Sequence, residues 1–103
     1  MLFRSTSDVQ KREGIPTVYS LSQNYPNPFN PSTTIAFSLP RASYVTLRVF
    51  DALGKEIRTL VSQELAAGKY ETKWDAAGVG SGTYFYRLDA GTFSQTREIV
   101  LLR

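Results

Sequence analysis

The sequence contains neither cysteine nor histidine. Without cysteine the chain has no disulfide framework and no thiolate to act as nucleophile or metal ligand. Without histidine it lacks the commonest general base, the Ser-His-Asp triad and histidine-based zinc sites. The absence of disulfides does not by itself assign a cellular compartment. Carboxylates are among the groups that remain as candidates for catalysis.

Long apolar runs are also missing from the sequence. No window approaches the ~20 apolar residues that a membrane-spanning helix needs, so we expect no transmembrane segment. Residues 1–4 are not followed by the apolar run of a secretory signal peptide. If the chain is exported, we expect the export signal to belong to a longer parent, or the chain to be a fragment.

Basic and acidic residues are nearly balanced, with twelve Lys and Arg against nine Asp and Glu and a formal net charge of +3. These charges are spread along the chain, whereas nucleic-acid-binding domains concentrate Lys and Arg on one face or helix. The pattern predicts a well-solvated surface and no nucleic-acid partner.

The length of 103 residues leaves room for one domain and a tail. Residues 1–14 are polar and aperiodic, so we predict a flexible linker there. We predict that residues 15–103 form the domain. In the approach to its core, we expect Val18 or Tyr19, together with Leu21, to touch apolar side chains.

A proline-rich stretch, residues 24–31, precedes the first clear strand. Each proline fixes its own φ, lacks an N–H and pushes the preceding residue towards extended conformations. The stretch can therefore be neither helix nor central strand, and we predict a stiff, irregular segment. Its aromatic residues, Tyr25 and Phe29, are expected to plug the core. We interpret the PxxP pattern at residues 28–31 as a structural cap, not as a polyproline ligand.

About seven extended segments follow, each alternating apolar and polar residues between turn signals. This pattern predicts an all-β sandwich of antiparallel strands. We expect Trp74, the only tryptophan, to be the largest core residue. The predicted inward-facing residues are Ile35, Phe37, Leu39, Val45, Leu47, Val49, Tyr70, Thr72, Trp74, Tyr84, Tyr86 and Leu88.

Residues 51–54 are predicted to form a hairpin turn in which Gly54 supplies a positive φ. The segment after it, residues 55–62, fits a helix about as well as a strand with Ile57, Thr59 and Val61 on one face. Because Thr59 and Val61 are β-branched and the segment leaves a hairpin turn, we predict a strand.

The last predicted strand, residues 93–102, changes character along its length. It is polar at first and then apolar on both faces, at residues 99–102, before Arg103. Such a strand is either buried on both faces or held by a partner. As an edge strand it could also add its backbone to a partner's sheet. Arg97, Glu98 and Arg103 flank it as charges that discourage aggregation.

Five carboxylates were considered for catalysis. Strand alternation scatters them, whereas a catalytic pair must converge in a cleft. We therefore expect no catalytic residue, no cofactor, no metal site and no enzyme, and calcium binding has little support because no dense Asp/Asn loop occurs. These five carboxylates are Asp51, Glu56, Glu71, Asp75 and Asp89.

The glycine-rich residues 78–82 precede a strand and not a helix, which predicts a turn and not a phosphate loop.

Several of these pieces, in their order and spacing, resemble the type A C-terminal sorting domain of the type IX secretion system. They are YSLSQNYPNPFNPSTTI at 19–35, VFDALGK at 49–55, AG at 67–68, WD at 74–75, SGTYFY at 81–86 and LLR at 101–103. The resemblance covers about residues 15–103.

The resemblance implies an immunoglobulin-like β-sandwich that follows a larger, upstream cargo domain. The implied partners are an outer-membrane translocon and a sortase-like peptidase, and the implied location is the periplasm in transit, then the cell surface or the medium. We expect a monomer.

The resemblance also singles out residues. The hypothesis for recognition by the translocon involves Asp51, Gly54, Lys55, Arg97, Ile99, Val100, Leu101, Leu102 and Arg103. The residues assigned to the structural motif are Pro26, Asn27, Pro28, Phe29, Trp74, Gly82 and Tyr84.

Two other functions remain open on the sequence. The same sandwich resembles the immunoglobulin-like domain of flagellar hook-capping proteins, which is an assembly module. A carbohydrate-binding sandwich is the second alternative, because Phe85, Tyr44 and Phe50 are all predicted to point away from the core.

Overall fold

A computed structural model describes residues 9–12 and 14–102. These residues form strands and turns, and none of them belongs to a helix that could cross a membrane. The strands are β1 (Gln10–Arg12), β2 (Ser20–Leu21), β3 (Ser32–Leu39), β4 (Ser43–Phe50), β5 (Glu56–Leu65), β6 (Gly68–Asp75), β7 (Gly82–Ala90) and β8 (Phe93–Leu101).

The strands form two antiparallel sheets, in the orders β1-β6-β3-β2 and β5-β4-β7-β8. With β2, β3, β4, β6, β7 and β8 as strands A, B, C, E, F and G, one sheet contains A-B-E and the other contains C-F-G. β5 lies beside strand C, as strand C′ does in variable domains. The prediction of an all-β, immunoglobulin-like sandwich is therefore confirmed, with six long strands and two short ones.

The apolar faces of the two sheets enclose one core. Trp74 is the largest fully buried side chain, as predicted. Inward-facing residues alternate with outward-facing ones along β3, β4, β6 and β7, because successive side chains of a strand point to opposite faces. The predicted inward set is buried throughout except for Tyr84, which is partly buried against the core.

A tyrosine near the start of β7 supports the assignment of the fold. The Tyr84 hydroxyl donates to the Gly80 carbonyl at 2.6 Å, the arrangement that immunoglobulin-type sandwiches show at the start of strand F. The same ring meets Trp74 edge-on, with centroids 5.9 Å apart. Gly82, with φ of +150°, leads the chain into β7.

The strand prediction for residues 55–62 is confirmed, but its inward face is not the expected one. Leu47 pairs with Val61 and Arg48 pairs with Thr59, so Leu60 is an extra residue in β5. This β-bulge buries Leu60 and Val61 together. Ile57 and Thr59 are exposed instead. The adjacent buried pair explains why the sequence fitted a helix about as well.

Tyr25, which was expected to plug the core, lies outside it and is 81% exposed. Of Val18 and Tyr19, it is Tyr19 that contacts the core, and Leu21 does so as predicted. Tyr25 pairs with Thr34 through the backbone. Because neighbouring side chains alternate, the buried Asn24 turns Tyr25 towards solvent.

β1 lies within the segment 1–14, where the sequence predicts a flexible linker. Its backbone pairs with residues 69–71 of β6, so residues 10–12 are part of a sheet. Residues 1–8 and Glu13 lie outside the described residues. The boundary between linker and domain stays a prediction.

Phe29 is the aromatic residue of the proline-rich segment that does plug the core. It is 2% exposed and its ring lies 5.4 Å from that of Trp74. The peptide bonds that precede Pro26, Pro28 and Pro31 are cis. Phe29 therefore fixes an otherwise exposed segment to the space between the sheets.

We expect Phe29→Ala to lower the free energy of unfolding by about 3–5 kcal/mol, because it removes a buried ring and leaves a cavity. The matched control is Tyr25→Ala in the same segment, which we expect to change it by less than ~0.5 kcal/mol, since the ring is exposed. Urea denaturation measures both. Equal losses in the two variants would contradict this account of the core.

Tyr86 fastens the chain just after β2 to β7. Its hydroxyl donates to the Ser22 carbonyl at 2.6 Å. Burial raises the pKa of Tyr86 to about 12, although a hydrogen bond from the Asn24 backbone and the charge of Arg97 act in the opposite direction. The folded state thus favours the neutral phenol.

We expect Tyr86→Phe to lower the free energy of unfolding by about 1–2 kcal/mol at neutral pH, because the Ser22 carbonyl and the Asn24 backbone lose a hydrogen-bond partner. The pKa is raised on folding, so this contribution is complete below the unfolded value of about 10 and is lost as the pH rises towards 12. The difference between the two proteins should therefore shrink across that window. A difference that stays constant from pH 9 to the alkaline limit of the measurement would refute it.

Candidate functional site

Those residues proposed for recognition that the structure describes lie towards one end of the β5-β4-β7-β8 sheet. Phe50 pairs with Phe85, and Phe85 pairs with Glu98. The 51–55 turn follows Phe50, and residues 99–102 follow Glu98. Because β4 and β8 run in the same direction on either side of β7, both segments lie at the same end of the sheet.

The Asp51 side chain organises the 51–55 turn. Its carboxylate accepts from the backbone N–H groups of Leu53 and Lys55, at 3.0 and 2.9 Å. The Asp51 N–H donates to the Lys55 carbonyl, and Gly54 adopts φ of +88° as predicted. Asp51 therefore shapes the turn, and Leu53, Gly54 and Lys55 form its exposed surface.

A shallow depression of about 260 Å³ lies beside this turn on the outer face of the sheet. Phe50 and Phe85 are half-buried cross-strand neighbours in its lining, and the Arg48 guanidinium lies 5.5 Å from the Phe50 ring centroid. Tyr44 is also exposed, but it lies six residues earlier on β4, roughly 20 Å away. All three aromatic residues point outward as predicted, but only two of them form a continuous surface.

A group of ionic contacts lies on the same face. Asp89 accepts from Arg48 and Arg87, each at 3.1 Å, and Arg48 also lies 3.7 Å from Glu56. Burial acts to raise the pKa of Asp89, but hydrogen bonds from Ser94 and Arg48 and the charge of Arg87 outweigh it and lower the pKa. Asp89 is therefore an ionised acceptor that ties neighbouring strands together.

Three of the five candidate carboxylates have separate structural roles, and Glu56 belongs to the ionic group of Asp89 through Arg48. Asp51 organises its turn, Asp75 accepts from the Ala77 N–H at 3.0 Å, and Asp89 belongs to the ionic group. No group of three or more potential metal ligands occurs among residues 9–12 and 14–102.

The last strand presents only part of its apolar sequence to solvent. Ile99 and Leu101 are fully buried in the core, Val100 is half-buried and Leu102 is 54% exposed. One face of β8 is thus core and the other is surface, which explains the apolar residues on both. Arg103 lies outside the described residues.

The side chain of Arg97 is held by β2. Its Nε donates to the Leu21 carbonyl at 2.6 Å, and the side chain is on the inward-facing side of β8. Of the residues proposed for recognition, Arg97, Ile99 and Leu101 therefore have structural contacts that limit what a partner can reach.

Residues 23–30, which we call the strap, cover the outer edge of β8 from Glu98 to its end. The Gln23 amide donates to the Glu98 carbonyl at 2.8 Å, and the Asn27 side-chain oxygen accepts from the Val100 N–H at 3.0 Å. Phe29 forms a parallel bridge opposite Leu101. Its N–H donates to the Val100 carbonyl and its carbonyl accepts from the Leu102 N–H, both at 3.0 Å.

This geometry corrects the expectation that β8 offers a free edge for strand addition. Backbone groups of Glu98, Val100 and Leu102 are already paired with the strap. To expose them, the strap must leave, which removes Phe29 from the core at about 3–5 kcal/mol and breaks hydrogen bonds worth about 1 kcal/mol each. The closed form therefore dominates the population.

A buried polar cluster fixes the start of the strap. Asn24 is 3% exposed, and its amide donates to the Pro26 carbonyl at 3.0 Å and to the Thr33 hydroxyl at 2.9 Å. The Thr33 hydroxyl donates in turn to the Pro26 carbonyl at 2.8 Å. The roles of Gln23, Asn24 and Thr33 were not predicted from the sequence. One signal was present, since strand alternation places Thr33 on the same inward face as Ile35, where a polar side chain needs a partner.

Searches among curated proteins and among solved structures found no match. The family model described as "Secretion system C-terminal sorting domain" matches residues 23–102, from the first residue of the strap to the last described residue. This match covers most of the chain and includes the 51–55 turn, the strap and β8. The chain therefore belongs to the secretion system C-terminal sorting domain family, and it is a C-terminal sorting signal for type IX secretion.

Proposed function

We propose that this domain directs a cargo protein attached upstream of it across the outer membrane through the type IX secretion system, and that it carries out no reaction itself. The observation that carries the proposal is the family match over residues 23–102. In this function the domain reaches the periplasm, is bound by the outer-membrane translocon, is a substrate for a sortase-like peptidase, and ends at the cell surface or in the medium.

The roles of the carboxylates support a non-catalytic domain. Asp51, Asp75 and Asp89 each accept hydrogen bonds that shape a turn or tie strands together. An acid or base used in catalysis needs a pKa near the operating pH, whereas the pKa of Asp89 is lowered by its partners.

The burial of individual residues refines the surface that the translocon would read. Ile99 and Leu101 contribute through the core, because a partner cannot touch them in the folded domain. The exposed candidates are Gly54 and Lys55 in the turn, together with Leu102. These lie at the same end of the sheet, so one partner surface can contact both segments.

One observation favours the carbohydrate-binding alternative: the direct pairing of Phe50 with Phe85 on the outer face. A sugar-binding surface usually needs exposed aromatic faces in a row. Here both rings are half-buried, Arg48 lies against Phe50, and Tyr44 is remote. The sorting function therefore has the stronger support.

Export of a fusion tests the proposal. We expect a reporter with a Sec signal, followed by the full 103-residue chain, to reach the surface or medium of a bacterium that has the type IX system. The same fusion should stay in the periplasm of a strain that lacks the translocon. Equal delivery in both strains would eliminate the proposed function.

Point substitutions then test the recognition surface. Deleting residues 99–103 is a poor test, because it also removes Ile99 and Leu101 from the core. We expect Lys55→Ser combined with Leu102→Ser to lower delivery at least ~10-fold while thermal unfolding shifts by only a few degrees, since exposed substitutions have small effects on stability. The matched control is Tyr44→Ser, which is as exposed as Leu102 (55% and 54%) but lies at the other end of β4. Delivery that falls equally in the control would argue against this surface.

A further inference from the structure

We propose that the export machinery recognises β8 with the strap closed, and that Asn27 is a positioning residue that holds residues 100–102 for recognition. The inference rests on the proposed sorting function. It excludes strand addition at the outer edge of β8 as the mode of recognition.

The first support is the placement of Asn27. The residue is exposed, and its side-chain oxygen accepts from the Val100 N–H at 3.0 Å. Its contribution to β8 is therefore a directed hydrogen bond and not core packing. Together with the two backbone hydrogen bonds of Phe29, this bond holds three consecutive outward-facing groups of β8, the Val100 N–H, the Val100 carbonyl and the Leu102 N–H.

The second support is the position of Leu102, which this hydrogen bonding determines. Leu102 follows the last residue of β8, where a chain without further pairing would be mobile. The strap holds it beside Pro26, Pro28 and Asn30, around a shallow depression of about 380 Å³. The hydrogen bond at its N–H therefore fixes the backbone position of Leu102, and the exposed prolines of the strap are part of the same surface.

The third support is the population of the two forms. A partner that adds a strand to β8 must first displace Phe29 from its contact with Trp74 and break the pairing at Val100 and Leu102. A ligand that binds only a rare form has its apparent affinity reduced by the population of that form. A partner that reads the closed form has no such penalty.

Three single variants of the exported fusion test the inference. Asn27→Ala removes the acceptor, and Asn27→Asp keeps a side-chain oxygen in its place. The control, Tyr70→Phe, removes a different hydrogen bond, from the Tyr70 hydroxyl to the Ala66 carbonyl at 2.7 Å, near the start of β6. We expect Asn27→Ala to lower delivery at least ~3-fold, Asn27→Asp to restore it to within ~2-fold of the unmodified chain, and Tyr70→Phe to leave it unchanged.

Hydrogen exchange at the Val100 amide, measured on the purified chain, reports the state of the strap. We expect exchange to become at least ~10-fold faster in Asn27→Ala and to stay slow in Asn27→Asp. Unchanged exchange in Asn27→Ala would show that Asn27 does not hold the strand, and would overturn the inference.

The delivery results separate the remaining possibilities. Faster exchange with undiminished delivery would overturn the inference, and increased delivery would mean that the strap must open. An equal loss in Tyr70→Phe would also overturn it, because delivery would then follow general stability. If the unmodified fusion is not exported at all, it is the proposed function that fails.

Discussion

The insertion of Phe29 between the two sheets is the contact on which the rest of the structure depends. Its ring packs on Trp74 of β6, while its backbone pairs with β8 of the other sheet. One residue thus joins the two layers by apolar packing and by hydrogen bonding at once. In residues 24–31 the side chains other than Asn24 and Phe29 are exposed. The position of this segment therefore follows from the contact of Phe29 and from the buried Asn24.

At the end of the domain where the strap meets β8, core residues lie next to exposed ones. Ile99 and Leu101 are core residues, whereas Leu102 is exposed beside the strap. In the neighbouring 51–55 turn, the Asp51 side chain accepts hydrogen bonds from the backbone of the turn itself, whereas Lys55 faces solvent. A short motif in such a segment therefore contains both buried residues, which stabilise the fold, and exposed residues, which a partner can contact. Substitutions at adjacent positions have different consequences for this reason.

The fold was predictable from the sequence because burial has a period of two in most of the strands. Val45, Leu47 and Val49 of β4 show this alternation without interruption, and all are buried. The prediction of inward-facing residues from this alternation failed at β5, where the bulge at Leu60 shifts the register and places two consecutive residues in the core. Alternation carries no information about such an extra residue, because the partner strand determines where it is accommodated.

The site was less predictable than the fold. The motif residues of the proline-rich segment could be named, but the role of Asn27 depends on a contact with Val100, 73 residues away in the chain. Likewise, Tyr25 and Phe29 are both aromatic residues beside prolines, and only the tertiary structure decides which is buried. Local propensity cannot determine long-range pairings of this kind.

The pairing of the strap with β8 also has a consequence for the order of folding. The bridge between Phe29 and Leu101 joins segments near the two ends of the family match, so the core lacks Ile99, Leu101 and a fixed Phe29 until the chain through Leu102 is present. A ribosome or membrane channel that still holds these last residues therefore prevents closure of the sandwich. Completion of the fold is thus a late step, because the core closes fully only when residues 99–102 are free to pair with the strap.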